Sequence, residues 1–500
     1  MTATTEPTGV HRDEGSAHVW TIAELRDAFA AGTTSPSRVL AETYAQIDRV
    51  NGYINAVVFV DHEVADASAA AADARWAAGT PISPLDGMPI TIKDSIPAAG
   101  MPWRHGTAAH DGEPDLTEDA PPVARLREAG AVIVGKTAMP DLGLSASGVS
   151  SLYGIVRNPW DTSQNTGGSS AGAGASIAAG VGVGAVGTDI AGSVRLPAGH
   201  NGIVALKPTQ GRVGHAPSSV MRSAGPMTRT VAEAMEMYRV LAKPDPRDSW
   251  GLPAEISDEM DEPVQVDHLR VGLLTDLGDG AFGSDVDLEV LAAVDRCADV
   301  LRSGGAVVEH VPPPFAISSR HFAGGDPYPT LDRVYAVRAR VEIEQVGADR
   351  AALIDPRMTA WAERVAGRLT ASDYSRDLTE IHATQRHFTE QLDRYDMVLS
   401  PIIPAVGFPA ERVGLDESVP LAHCAFTAWF AINNQPALSL CYGMSASGMP
   451  IGVQLAGKRF TDQDVLRLGL YLEQNRPFEM AWPTTPRVRH TTTITTGGAQ

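Results

Sequence analysis

Apolar positions along this chain recur first at helical and then at strand spacing, and the two periods alternate for most of its length. Thr21-Ile22-Ala23-Glu24 has the form of a capping box, in which a hydroxyl and a carboxylate satisfy free amides at a helix start. It predicts a helix over about 22–31, with Gly32 as its stop. Ser35-Pro36 reads as N-cap and first helical residue, and Val39, Leu40, Tyr44 and Ile47 return at helical spacing. This second helix is expected to end near Val50. A β-rich run at Ala56–Val60 and an alanine-dominated helix over about 62–78 follow.

In Pro89-Ile90-Thr91-Ile92-Lys93 the two isoleucines fall on one face of a strand and Thr91 and Lys93 on the other, because side chains alternate. A helix around 122–128, a stop at Gly130 and the apolar run Ala131–Val134 make a further helix-to-strand step. Leu269–Leu274, a helix over about 286–303 and Ala306–Val311 form a β-α-β unit, and strands are expected again at Met397–Leu399 and Ile451–Leu455. Alternation of this kind means an α/β fold. Residues 315–395 read as mainly helical and are placed near the entrance of a site. No Gly/Ser or Pro-rich linker divides the chain, so a loosely held tail at 1–16 and one α/β body over 17–500 are expected.

Composition narrows the class of partner. Sixty acidic against forty basic residues give a net charge of −20, which repels phosphate backbones and anionic lipids, so neither nucleic acid nor a membrane is expected as partner. The stretch between Asp161 and Asp189 carries no charge, but it is mostly Gly, Ala and Ser and too weakly apolar to span a bilayer. Cys297, Cys424 and Cys441 form no C-x-x-C pair, which fits a reducing cytoplasm, and the polar first fifteen residues lack the order of a signal peptide.

The glycine-rich segment Thr166–Arg195 is the most unusual part of the chain, and three readings compete for it. Gly182-x-Gly184-x-x-Gly187 matches a dinucleotide fingerprint, but it leaves a helix candidate rather than a strand, and Lys207 stands where an acid is needed. Gly168-Ser169-Ser170-Ala171-Gly172 matches a nucleophile elbow centred on Ser170, which requires a preceding strand, and residues 158–165 read as a polar loop. His200 and His215 are the histidines such an elbow would use, and both are expected to be ordinary surface or hydrogen-bonding residues.

The third reading takes the serines together with Lys93. Leu85–Asp94, Val134–Pro140, Arg157–Trp160, Gly167–Ser170, Gly187–Ala198 and the later pieces Gly202–Gly211 and Asn434–Ser439 occur in the order and spacing of the amidase signature enzymes, and the chain resembles that family along almost its whole length. The resemblance implies an α/β/α layered fold with a large mixed central sheet covered by helices. It also implies cleavage of an amide-type carbon–nitrogen bond, with Ser193 as nucleophile, Ser169 as a bridging serine after a cis Gly168–Ser169 bond, and Lys93 as base. Backbone amides of Ile190, Ala191, Gly192 and Ser193 would form the oxyanion hole. Ser170, Asp189 and Arg195 are read, with Gly168, as supports that hold the loop. Two positions depart from the family, Ala171 and Ala191 standing where glycine is usual, and the added methyls are expected to narrow the pocket and alter substrate choice.

A serine hydroxyl attacks only when a base takes its proton, and the sequence offers no compelling histidine–carboxylate pair for that. Lysine titrates ordinarily at about 10.4, so the base must be desolvated to be neutral. No cofactor is required, and the expected partner is a small amide substrate, with a monomer or homodimer as the working unit. A carbamate is the alternative substrate; the alternative functions are a non-catalytic binding protein and an amidotransferase subunit. A serine-reactive phosphonate separates the two serine readings by mass spectrometry: the label is expected on Ser193, and a label on Ser170 would establish the elbow instead.

Overall fold

The computed structural model describes residues 19–253, 257–278, 285–315 and 327–489; the tail expected at 1–16 lies outside them. The strands among these residues are β1 (Val57–Val60), β2 (Pro89–Lys93), β3 (Val132–Thr137), β4 (Val149–Ser150), β5 (Gly154–Ile155), β6 (Arg157–Asn158), β7 (Asp161–Asn165), β8 (Gly184–Asp189), β9 (Val204–Lys207), β10 (Ser223–Thr228), β11 (Arg270–Leu273), β12 (Val307–His310), β13 (Met397–Pro401), β14 (Ala437–Met444) and β15 (Pro450–Gly457). Eleven of them form one mixed sheet in the order β1-β3-β2-β8-β10-β9-β14-β15-β13-β11-β12, while β4 with β5 and β6 with β7 make two small antiparallel ribbons. This is the expected large mixed α/β sheet.

Local signals place the first elements. Thr21 Oγ1 accepts from the Glu24 amide at 3.2 Å and the Glu24 carboxylate accepts from the Thr21 amide at 2.8 Å, closing the capping box of the helix Ile22–Ala30. The helix that opens at Ser35-Pro36 runs to Ile54, past the expected end at Val50. The reason is burial: Val50 and Ile54 are both fully enclosed, which outweighs the cost of Gly52 in the last turn. Asn51 then ties the helix end to β1, accepting from the Ala56 and Val57 amides and donating to the Val57 carbonyl at 2.8 Å.

The uncharged stretch that is too weak to cross a membrane becomes the helix Ala171–Ala178, buried on every side. Its small residues allow backbone contact all round, so that a Cβ on Gly172 would lie 2.3 Å from the Ala56 carbonyl oxygen. No described helix is long and apolar enough to cross a membrane. The expected loop at 158–165 is instead the β6–β7 ribbon, which hydrophobic periodicity does not show because its residues are polar. Their side chains act as internal ties: Asn165 Oδ1 accepts from the amides of Gly148 at 3.0 Å and Gly167 at 2.9 Å, and Asn158 donates to the His200 carbonyl at 2.8 Å. The β11–β12 pair is parallel, as the β-α-β pattern predicts. The segment expected to be helical carries Tyr328–Gln345, Ala348–Ala351, Pro356–Ala366 and Ala371–Leu392.

Candidate active site

Strands β2 and β8 run parallel and adjacent, with Ile92 beside Val186, so their C-terminal ends deliver Lys93 and Thr188–Asp189 to the same place. Lys93 is the last residue of β2 and has no solvent exposure. Its Nζ lies 2.8 Å from Ser169 Oγ, 3.1 Å from Thr188 Oγ1 and 3.4 Å from the Thr188 carbonyl oxygen. No carboxylate among the described residues pairs with it. Burial therefore pushes its pKa well below the ordinary lysine value, and the Arg222 guanidinium pushes the same way, while Asp189 and Asp94 oppose the shift without cancelling it.

Ser169 follows a cis peptide bond after Gly168 and is almost fully buried. Gly143 comes so close that a Cβ there would lie 3.3 Å from Ser169 Oγ. Ser170, the next residue, is fully enclosed; its Oγ accepts from the Thr188 amide and donates to the Thr188 carbonyl, both at 3.3 Å. A strand, β7, does precede it, as an elbow would need, yet the hydroxyl points into the sheet. The Ser170 amide donates to the Ser193 carbonyl at 3.0 Å, which joins the Ser169–Ser170 loop to the turn after β8. Along 184–201 every residue is buried except Ile190 and Ser193. Ser193 is thus the most accessible of the three candidate serines.

The turn is held from beneath by Asp189 and Arg195, both fully buried, joined by Nε to Oδ2 at 2.9 Å and Nη2 to Oδ1 at 3.0 Å. Burial alone would raise the Asp189 pKa; Arg195 reverses this and holds it below the usual carboxylate value. Asp189 also accepts from the amides of Gly192 at 2.7 Å and Val194 at 3.3 Å. Gly192, expected among the oxyanion donors, is therefore already engaged, whereas the amides of Ile190, Ala191 and Ser193 make no hydrogen bond among the described residues. Arg195 Nη1 continues the network to the Thr427 carbonyl at 2.9 Å and to Gln454 Oε1 at 2.6 Å on β15.

Two partners of this turn have no signal in the sequence. Tyr335 donates to the Ile190 carbonyl at 3.1 Å, and Thr427 Oγ1 donates to the Ala191 carbonyl. Because a trans peptide sets each carbonyl opposite the following amide, Tyr335 fixes the direction of the Ala191 N–H. Thr188, inside the matched piece Gly187–Ala198, shares Lys93 with Ser169. Of the two alanines that depart from the family pattern, Ala191 lines the cavity at Ser193, and Ala171 lies in the core beside Ala56 and Ala138, so only the first narrows the pocket. His200 and His423 face each other, Nε2 to Nε2 at 2.9 Å, and burial lowers His200 to about 3. His215 binds the Pro217 carbonyl through Nδ1. Among the described residues no histidine bonds to Ser193.

A family model described as Amidase matches residues 38–466. An acylamidase of Rhodococcus erythropolis is 32% identical over 482 residues, spanning 93% of this chain and 97% of that protein. A glutamyl-tRNA(Gln) amidotransferase subunit from Myxococcus xanthus (strain DK1622) is 31% identical over 482 residues, spanning 92% and 97%. Among solved structures, an amidase is 30% identical with a TM-score of 0.76, covering 91% of this chain and all of that one (100%). A bacterial aryl acylamidase of the amidase signature enzymes reaches a TM-score of 0.84 at 24% identity over 94% of this chain and 99% of its own, which is a likeness of fold.

Removing the Arg195 guanidinium leaves the Asp189 carboxylate buried without its countercharge, a loss of about 3–5 kcal/mol. Arg195→Met is expected to lower unfolding stability by that amount, measured by denaturant titration; an unchanged midpoint would show that the pair does not hold the turn.

Proposed function

The chain belongs to the amidase family, and from that membership we propose that it hydrolyses an amide-type carbon–nitrogen bond with Ser193 as nucleophile, Ser169 as proton relay and Lys93 as base. The observation that carries this reading is the combination of an enclosed lysine amine on Ser169 with a neighbouring serine that reaches the cavity.

Neutral Lys93 has a lone pair, and Ser169 donates its proton to it while taking the proton of Ser193. The freed Ser193 oxygen bonds to the substrate carbonyl carbon, and the carbonyl oxygen takes up the electron pair. Amides of Ile190, Ala191 and Ser193 stabilise that oxyanion, and two of them are held in direction beforehand: the Ala191 N–H by Tyr335 on the Ile190 carbonyl, and the Ser193 N–H by the Leu196 amide on the Gly192 carbonyl at 2.7 Å. When the tetrahedral species collapses, the carbon–nitrogen bond breaks and the proton returns from Lys93 through Ser169 to the leaving nitrogen. Water then attacks the acyl-enzyme, giving its proton to the same relay, and releases the acid.

The cavity lining supports a neutral apolar substrate. Leu144, Ala146, Ala191, Trp361 and Cys424 surround Ser193, and the charged residue beside them is Arg338, with no carboxylate among the described lining residues. An amino-acid amide serving as an ammonia source would bring an ammonium group here with no acid to pair it. This favours a free hydrolase over a subunit that supplies ammonia within a complex. Purified chain is expected to turn over anilides or aliphatic amides on its own, and the same screen run on aryl carbamates decides whether those bonds are cut as well.

The base also fixes the pH dependence. Its folded pKa is depressed, so the productive neutral form is lost on acidification and gained as pH rises, with the plateau reached well below the ordinary lysine range. Ser169→Ala is expected to leave Ser193 and Lys93 in place and lower kcat by about 100-fold or more, while Lys93→Ala loses the rising limb with most of the rate. A Lys93→Ala variant with wild-type rate and pH profile would contradict the relay.

A further inference from the structure

The cavity at Ser193 has a volume of about 40 Å³, far below the volumes of about 300 Å³ or more usual for small-molecule sites. It holds a reacting carbonyl and leaves no room for a large substituent. A second cavity, of about 370 Å³, adjoins it and shares Ile190 as a wall, and that volume falls in the range of about 300–1,000 Å³ usual for small-molecule sites.

One helix borders both spaces. On Tyr328–Gln345 the residues Leu331, Val334, Tyr335 and Arg338 follow one helical stripe. Leu331 and Val334 face the larger cavity, and Tyr335 and Arg338 face the cavity at Ser193. Tyr335, between the residues that face each cavity, donates to the Ile190 carbonyl and so ties this helix to the turn that carries Ser193. The far side of the larger cavity is the helix Ala371–Leu392, which contributes Leu378 and Ile381, and its edge reaches Val220, which is 53% exposed. Among the described residues no Asp, Glu, Lys or Arg lines it. Apart from Tyr374, His382, Gln385 and Asn434 its lining is aliphatic, so an aryl or alkyl group placed there would gain by burial.

We propose that this apolar cavity is the subsite for a neutral aryl or alkyl substituent of the substrate, and that Leu378 sets its capacity. The proposal rests on the reading of Ser193 as nucleophile given above. Substrate thus lies across Ile190, with its carbonyl at Ser193 and its bulk between the two helices.

The test compares three amides: propionamide, which is small at both ends, acetanilide, which carries its apolar group on nitrogen, and heptanamide, which carries it on the acyl side. Leu378 is half-buried and lines the larger cavity but not the one at Ser193, so Leu378→Trp fills the former from its outer wall. It is expected to lower kcat/KM for acetanilide or heptanamide about tenfold or more and to change propionamide by less than about twofold. Loss confined to acetanilide puts the amine side in the cavity; loss confined to heptanamide puts the acyl side there. Leu378→Ala, which enlarges the space, is expected to shift preference toward longer chains. If both variants keep the wild-type ratio among the three substrates, or lower all three in step, the subsite is refuted while the chemistry at Ser193 stands. If the wild-type chain turns over none of them and a phosphonate does not label Ser193, the functional reading and the subsite fall together.

Discussion

Withdrawing an ammonium from water costs several kcal/mol unless an anion replaces the hydration, and among the described residues no anion pairs with Lys93. The sheet places this side chain at the end of β2 with no exposure, against two hydroxyls and a carbonyl, none of which carries a charge to balance an ammonium. Arg222, itself held to about 10 chiefly by burial, adds a like charge nearby. Much of the remaining architecture follows from that constraint. The lysine needs a strand buried on all sides, a neighbouring strand whose end supplies polar but neutral partners, and a serine close enough to exchange protons.

The opposite electrostatic solution stands one turn away. Asp189 and Arg195 are just as deeply buried but carry both charges, and the pair is tied further to backbone amides, a backbone carbonyl and a side-chain amide. Such a pair contributes geometry more than stability, since it fixes where the backbone amides of the turn point. The Gly192 amide is consumed in that task, which leaves the amides on either side for a developing charge. Tyr335 and Thr427 complete the frame from helices distant in sequence. Under the proposed mechanism the neutral lysine sets the reactivity, and the charged pair sets the shape into which the reaction fits.

Parts of this arrangement are legible in the sequence for physical reasons. Ile90 and Ile92 alternate with Thr91 and Lys93, so the strand and the facing of the lysine follow from a period of two. Thr21 with Glu24, and Ser35 with Pro36, mark helix starts through local hydrogen bonding. The order and spacing of the motifs around Lys93, Ser169 and Ser193 group those residues, and the folded chain brings Lys93 and Ser169 into contact. Strands β8 and β10 are hidden for the opposite reason. They consist largely of Gly, Ala, Ser and Thr, most of which carry little strand preference, and they lie in the sheet because close backbone packing excludes anything larger: a Cβ on Gly225 would lie 2.0 Å from the Leu206 carbonyl oxygen. The β6–β7 ribbon escapes periodicity because its polar side chains are satisfied internally. Tyr335 and Thr427 reach the site from other parts of the chain, and no local pattern reports a contact across more than a hundred residues.

The central claim is that Lys93 rests in the protein as a neutral amine. Nitrogen-15 NMR of lysine-labelled protein, with Lys93→Met identifying the resonance, reads the charge on Nζ directly as pH is varied. The account predicts an amine signal for Lys93 at neutral pH, converting to ammonium only on acidification. A Lys93 resonance that stays ammonium through neutral pH and titrates near the ordinary value of about 10.4 would contradict it.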